Sequence, residues 1–307
     1  MRRLTICIPT YKRNAELAML LAEIQGQSPP RPPRDVSILV IDNNPGGDAA
    51  SVIEAADQSP FPVHYLQEKR PGVAYVRNAA LDHCFDHDDL VFIDDDTLPA
   101  AEWLNALCDA QHTMDAGVVF GSVEARYLGA VPEWIQKGDF HSKRIIEDGP
   151  RHLPGATDNC IIDMAVIREH RPRFDEGLSL IGGEDTLFFD GLLRAGVKMA
   201  DASQALTFET IPENRATAQW LCKRWKRTGY TDSLMFKRQG ARFPKLQAAV
   251  KGILRLSVAG PMALFMRALS RGRMTAAEGN WRYTFERGRG MLSFASGRSI
   301  QEYARET

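Results

Sequence analysis

The chain has 307 residues, 44% hydrophobic and 25% charged, with a formal net charge of −1. This is the composition of an ordinary globular protein with a large core, built as one large domain or two closely joined ones. Its five scattered cysteines form no C-x-x-C pair, so nothing suggests a zinc or redox site and reduced thiols are expected. The apolar run in "MRRLTICIPTYKR" is too short for a secretory signal or a membrane span.

The net charge conceals an asymmetry. Residues 1–214 hold 19 basic and 34 acidic side chains, a net of −15. Residues 215–273 hold 14 basic side chains and one acid, Asp232, a net of +13. An acidic body therefore carries a basic C-terminal segment suited to anionic partners.

In chain order, "LTICIP" (residues 4–9) predicts a buried strand. Residues 14–25 follow as a helix, with Leu17, Leu20, Leu21 and Ile24 on one face. "VSILVID" predicts a second strand ending at Asp42, closed by the breaker "NNPGGD". "ASVIEAAD" reads as a short helix, "FPVHYLQ" as a third strand and "GVAYVRNAALDHC" as a helix. "DLVFID" is the fourth strand, running into Asp94, Asp95 and Asp96. A helix with Pro99 near its start and a fifth strand, "GVVFGSVEARY", complete the alternation. The pattern predicts α/β architecture with a mostly parallel sheet.

Residues 128–159 are long, irregular and rich in glycine and proline, the mark of a functional or mobile loop. "CIIDMAVI" reads as a strand, "GGEDTLFFDGLLRAG" as a glycine turn feeding a helix, and "VKMADASQALTFET" as two short strands. Residues 217–239 read as a basic helix or helix pair. Residues 245–271 have an apolar core interrupted by Lys251, Arg255, Pro261 and Arg267. Periodicity leaves two readings open for that segment: a helix lying in a membrane interface, or an amphipathic helix packed on its own domain.

Ligands of open α/β sheets bind beyond the carboxyl ends of the strands. There Asp42 and the Asp94–Asp96 triplet would share a cleft with Arg13, Arg70 and Arg77. Acids and bases at one edge suit a nucleotide diphosphate and a divalent cation, since D-x-D carboxylates can reach one hard ion. A polar turn capped by Asp96 or Thr97 is the alternative. No G-x-G-x-x-G follows strand one and no Walker-type motif occurs, which speaks against dinucleotide redox chemistry and a P-loop ATPase. In "GGEDT", Glu184 and Asp185 can serve as helix caps or supply a general base.

Five segments in this order, "TICIPTYKRN", "ILVIDNNP", "RPGVAYVRNAAL", "VFIDDDTLP" and "GGEDTLFFDGLLRAG", resemble a family 2 inverting glycosyltransferase of the GT-A fold over about residues 4–230. "PEWIQKGDFHS" and "PENRATAQWLCKRWKRTG" resemble the bacterial exopolysaccharide glucosyltransferases of the succinoglycan pathway. The resemblance implies a GT-A catalytic domain at 1–230, with a nucleotide-sugar half at about 1–125 and an acceptor half at about 126–230. A basic helical region, 231–307, would follow. It implies transfer from a UDP-sugar to a saccharide or lipid-linked oligosaccharide at the inner face of the bacterial plasma membrane, with no nucleic-acid partner. Thr10, Tyr11 and Arg13 would line the nucleotide pocket, Asp42 would bind uracil, and Arg70, Arg77, Asp94 and Asp95 would complete the donor site. Asp96, with Asp94, would hold Mg2+ or Mn2+. Asp185 would be the catalytic base supported by Glu184, and Trp220, Arg224 and Trp225 would line the acceptor side. One departure stands out: where relatives commonly carry a metal-supporting His before "PENR", this chain has Phe208, followed by Glu209. That departure keeps open a weak or silent sugar-nucleotide-binding scaffold.

Overall fold

A computed structural model describes residues 1–179 and 181–300; residues 301–307 of the expected C-terminal region lie outside them. The first part follows the expected alternation: β1 (Arg2–Thr10), α1 (Asn14–Gln25), β2 (Arg34–Asp42), α2 (Ala50–Ala55), β3 (Val63–Gln67), α3 (Val73–His83) and β4 (Asp89–Ile93). Next come β5 (Thr97–Pro99), α4 (Trp103–Thr113), β6 (Val118–Tyr127), α5 (Glu133–Gly138), β7 (Gly149–Arg151), β8 (Asn159–Asp163) and α6 (Met164–His170). A 3-10 turn at Glu176–Leu178 precedes α7 (Glu184–Arg194), β9 (Met199–Ile211), α8 (Ala218–Arg238), α9 (Pro244–Leu269) and α10 (Ala276–Ala295).

The nine-stranded sheet has the order β3-β2-β1-β4-β8-β6-β9-β5, with β7 also on β9. Strands β3, β2, β1 and β4 are parallel, because α1, α2 and α3 are crossovers between them. The expectation of a mostly parallel sheet fails beyond β4. There β8 runs antiparallel to both β4 and β6, and β5 and β7 run antiparallel to β9. The inner parallel strands β1, β2 and β4 are buried on both faces along most of their length, which is why they read as apolar runs, whereas the edge strand β3 is buried only at Val63. Along β1, Leu4, Ile6 and Ile8 face a core shared with α1 and α4, while Cys7 faces a second core shared with α3 and α7.

Three local expectations are corrected. "CIIDMAVI" is not one strand: Asp163 ends β8, and its Oδ1 accepts the Ala165 N–H at 2.7 Å, starting α6. Pro99 lies in β5, and α4 begins four residues later at Trp103. Residues 199–211 form one strand. Of the two readings of the basic segment, the single helix holds, over residues 218–238.

The chain divides into two compact units. The first comprises Met1–Ala125, Ser142–Ser179 and Glu184–Thr210; the second comprises Arg126–His141, Leu180–Gly183 and Ile211–Thr307. In the second unit α8, α9 and α10 cross through glycines. A Cβ on Gly229 would collide with the Arg287 carbonyl, and one on Gly290 with the Lys226 carbonyl, so backbones meet where side chains would normally intervene. Trp134, Ile135, Leu221 and Trp225 form the unit's apolar centre.

Candidate active site

The parallel strands bring their carboxyl ends to one edge. Thr10 closes β1 in register with Asp42, which closes β2. β4 stops at Ile93, one residue earlier than expected, and Thr97 N donates to the Asp94 carbonyl at 3.1 Å, so the aspartate triplet sits in a turn. Strand alternation therefore ends before the triplet, and each carboxylate is placed by its own partner. Asp95 accepts from Thr10 Oγ1 at 2.9 Å and from Arg13 Nη1 at 2.6 Å, which ties β4 to the end of β1. Asp96 pairs with the same Arg13 nitrogen at 2.8 Å. Thr10, Arg13 and Asp95, all expected to touch the donor, form this internal tie.

Asp94 takes a different environment. Burial raises its carboxyl to about 7; Arg77 opposes the shift, and Asp158, Asp96 and Asp95 add to it. Arg77 is itself buried and ion-paired with Glu184, and it also feels the charges of Asp185 and Asp94. Glu184 and Asp185 form the first turn of α7, where negative charge is favoured. The preceding Gly182 and Gly183 have φ of 84° and 93°, a region costly for residues with a Cβ. Asp185 Oδ1 accepts the Thr186 N–H at 2.7 Å. One guanidinium thus gathers the end of β4 and the start of α7, elements 91 residues apart in sequence.

Sequence reasoning missed three residues here. Asp158 directly precedes β8, whose Asn159 pairs with Ile93 of β4; that register sets Asp158 beside Asp94, and it forms an ion pair with Lys143. Asn159 donates to the carbonyls of Ser122 and Ala205 at 3.0 and 2.8 Å and accepts from Trp103 Nε1 at 2.8 Å, joining β8, β6, β9 and α4. Asn43 donates to the Glu68 and Arg70 carbonyls, both at 2.8 Å, and accepts the Gly72 N–H at 2.9 Å, fixing the loop before α3. The "DNNPGGD" breaker marked a turn but gave no partner for Asn43.

Asp42 is 1% exposed, and its oxygens accept from Asn44 N at 2.7 Å, Ala49 N at 3.2 Å and the Tyr65 hydroxyl at 3.2 Å. The structure makes it the organiser of the loop after β2. Arg70 is exposed, grips Glu68 at 2.7 Å and covers the Tyr75 ring at 4.7 Å. Tyr11 lies under Lys12, whose Nζ is 5.4 Å from the ring centre. A surface cavity of about 480 Å3 in the first unit is lined by Ala100, Ser122, Glu124, Arg144 and Leu206 among others, and by none of the expected site residues.

Among the described residues, no three His, Cys, Asp or Glu side chains group closely enough to hold an ion by themselves. The acid oxygens present suit a hard cation such as Mg2+ or Mn2+, which keeps water and substrate phosphate in its shell. Burial, more than the neighbouring carboxylates, raises the Asp94 carboxyl, so a cation beside it would favour its charged form. These residues fit a cation whose shell the donor completes. Phe208 pairs with Leu98 in the β5–β9 ladder, Glu209 pairs with Thr97, and Thr210 N donates to the Asp96 carbonyl at 2.9 Å. The "FET" segment therefore runs beside the triplet.

The acceptor candidates lie in the second unit. Trp225 is 3% exposed and packs its ring against Phe140 and Tyr283, so its assignment to an acceptor surface is corrected: it is a core side chain. Trp220 is stacked against His141, centroids 5.4 Å apart and planes 19° from parallel, and Arg224 covers the ring at 5.2 Å.

A parallel sheet edge carrying carboxylates and arginines, continued by antiparallel strands, is a Rossmann-like α/β arrangement. Residues 5–170 match the family described as Glycosyl transferase family 2, and the chain belongs to that family. It is 34% identical over 227 residues to the succinoglycan biosynthesis protein ExoM of Rhizobium meliloti (strain 1021), covering 74% of this chain and 72% of that protein. Among solved structures it resembles S. aureus TarS 1-349, with a TM-score of 0.55 at 16% identity over 99% of this chain and 93% of that one. The same fragment in complex with UDP-GlcNAc gives 0.54 at 14% over 96% and 92%. GalNAc-T7 with UDP, GalNAc and Mn2+ gives 0.55 at 13% over 69% and 44%. The fold is the Rossmann-like GT-A fold, followed by α8–α10.

Proposed function

We propose that the protein is an inverting transferase that moves a hexose from a UDP-sugar to a saccharide acceptor. We take the acceptor to be a lipid-linked oligosaccharide of exopolysaccharide or other surface polysaccharide synthesis, met at the inner face of the plasma membrane. The observation that carries this reading is the buried Arg77–Glu184 ion pair, which holds the first turn of α7, with Asp185, within electrostatic reach of the same guanidinium as Asp94 at the end of β4. The likeness to a succinoglycan biosynthesis protein and to a fold that binds UDP-GlcNAc in TarS supports it.

Asp185 is the base in this mechanism: it takes the proton of the acceptor hydroxyl as that oxygen attacks the anomeric carbon. A single displacement inverts the centre, so an α-linked donor gives a β-linkage. Arg77 holds Glu184 and thereby fixes the turn that carries Asp185. Arg13, tied to Asp95 and Asp96, supplies positive charge at the end of β1. Asp96 and Asp94 are the residues that would hold a divalent cation, which supplies charge neutralisation for the departing diphosphate.

Asp185→Asn removes the base and keeps the shape. Transfer should fall at least about 100-fold, the scale of lost general-base catalysis, while UDP binding stays within about twofold. Near-wild-type turnover refutes the assignment. The second reading, a silent sugar-nucleotide scaffold, is favoured by Phe208 beside the triplet. UDP release from a panel of UDP-sugars separates the two, because a scaffold releases none.

A further inference from the structure

α9 has an outward face that the described residues of its own unit leave exposed. Leu246, Val250, Ile253, Leu254, Leu264 and Phe265 are each between 48% and 73% exposed. At 100° per residue they fall on one stripe, while the buried Ala248, Gly252 and Ala259 fall on the opposite side. That small-residue side meets α10 closely: a Cβ on Gly252 would stand 3.0 Å from the Gly288 carbonyl oxygen. α9 contains no acidic residue; its charges are Lys245, Lys251, Arg255 and Arg267, outside the centre of the stripe.

We infer that this stripe docks the protein on an anionic lipid bilayer, with α9 lying in the plane of the interface and α10 behind it. The inference rests on the membrane-borne acceptor proposed above and names the surface that brings the enzyme to it. Apolar side chains flanked by cations, without an acid, match the acyl boundary and charge of an anionic leaflet. A second copy fits poorly, because two such helices face to face would bring Lys245, Lys251 and Arg255 of each copy together with no acid from either α9.

The helix could also span a bilayer by length and composition. Its 26 residues extend about 39 Å, against about 30 Å of hydrocarbon. Its tie to α10 decides between the two. Glu278 of α10 is buried and held by Arg267 of α9 at 2.7 Å and by Arg282 at 2.8 Å. Spanning would strip this carboxylate of Arg267 and open the glycine crossing; lying flat keeps both.

The test is flotation of the full chain with phosphatidylcholine vesicles carrying 30% or no phosphatidylglycerol. Wild type should float with the anionic vesicles and at least tenfold less with the neutral ones. Leu254→Glu with Phe265→Glu, both exposed, should cut flotation at least tenfold while circular dichroism and UDP-sugar hydrolysis stay unchanged. Lys245→Gln with Lys251→Gln should weaken binding to anionic vesicles only. Four outcomes overturn the inference: no flotation of wild type, equal flotation of the Glu variant, a dimer that the Glu variant dissociates, or bound protein resisting extraction at pH 11, which marks a spanning helix. UDP release is read on the same samples. Hydrolysis without flotation removes the docking surface and leaves the transferase standing; flotation without hydrolysis does the reverse.

Discussion

His141 couples the second unit's stability to pH with a sign and size that can be worked out. The side chain is 2% exposed. Its Nε2 lies 3.2 Å from the Arg215 carbonyl oxygen, which can only accept, so Nε2 carries the proton and Nδ1 accepts from the Tyr127 hydroxyl at 3.1 Å. Burial lowers the imidazole to about 4; the Arg215 carbonyl opposes the shift, and the charges of Arg224 and Arg215 add to it. The folded state therefore binds its proton less readily than the unfolded chain, whose imidazole titrates near 6.5. The stabilisation is complete above 6.5 and is lost as pH falls through 4. Linkage gives a loss of about 2 kcal/mol by pH 5 and about 3 kcal/mol by pH 4. Urea unfolding followed by tryptophan fluorescence reads mainly this unit, which holds Trp134, Trp220, Trp225 and Trp281. His141→Phe preserves an aromatic ring against Trp220 but cannot titrate. Between pH 7.5 and pH 5, wild type should lose about 2 kcal/mol more than this variant. Equal losses would refute the buried neutral imidazole.

Arg77→Met removes the paired guanidinium from the buried Glu184 carboxylate and should cost about 3–5 kcal/mol in urea unfolding; adding Glu184→Gln should recover part of it. A loss under about 1 kcal/mol would show that Arg77 is not the principal counter-charge of this carboxylate. Asp96→Ala should lower UDP affinity in the presence of Mn2+ and leave affinity without metal nearly unchanged; calorimetry under both conditions reads this, and equal losses would place Asp96 outside any cation site.

The parallel half of the sheet was legible because strands buried on both faces are written as apolar runs, and because Leu17, Leu20, Leu21 and Ile24 mark one helical face. In the antiparallel half β6 was legible, but strand direction and the boundary between β8 and α6 were not. "CIIDMAVI" carries the same apolar signal on both sides of Asp163, and only the cap formed by that carboxylate divides it into β8 and α6. In the site, local chemistry was legible and partnership was not. Three adjacent aspartates and an "ED" pair after two glycines announce themselves. That Arg77 joins them depends on a contact spanning 107 residues, and Asp158 reaches Asp94 only through antiparallel register. Trp225 was misread because a tryptophan on a basic helix looks available, whereas its neighbours Phe140 and Tyr283 close over it.

The placement of charge bears on how a donor is received. Arg13 serves both Asp95 and Asp96, and Arg77 is shared by Glu184, Asp185 and Asp94. With cations so divided, burial lifts the Asp94 carboxyl toward neutrality. A bare diphosphate would add negative charge to this edge and meet repulsion. Under the proposed function, relief comes by one of two routes: a divalent cation arrives with the donor, or Arg13 leaves Asp96 for a phosphate oxygen. The routes differ in what they leave behind, because the second requires the Arg13–Asp96 pair to break while the Thr10–Asp95 bond remains. Burial disfavours the charged form of both Asp94 and Asp95; under the proposed function that local cost is offset when the donor site fills. Asp95, held by both Thr10 and Arg13, is also the part of the triplet that joins β1 to the turn after β4.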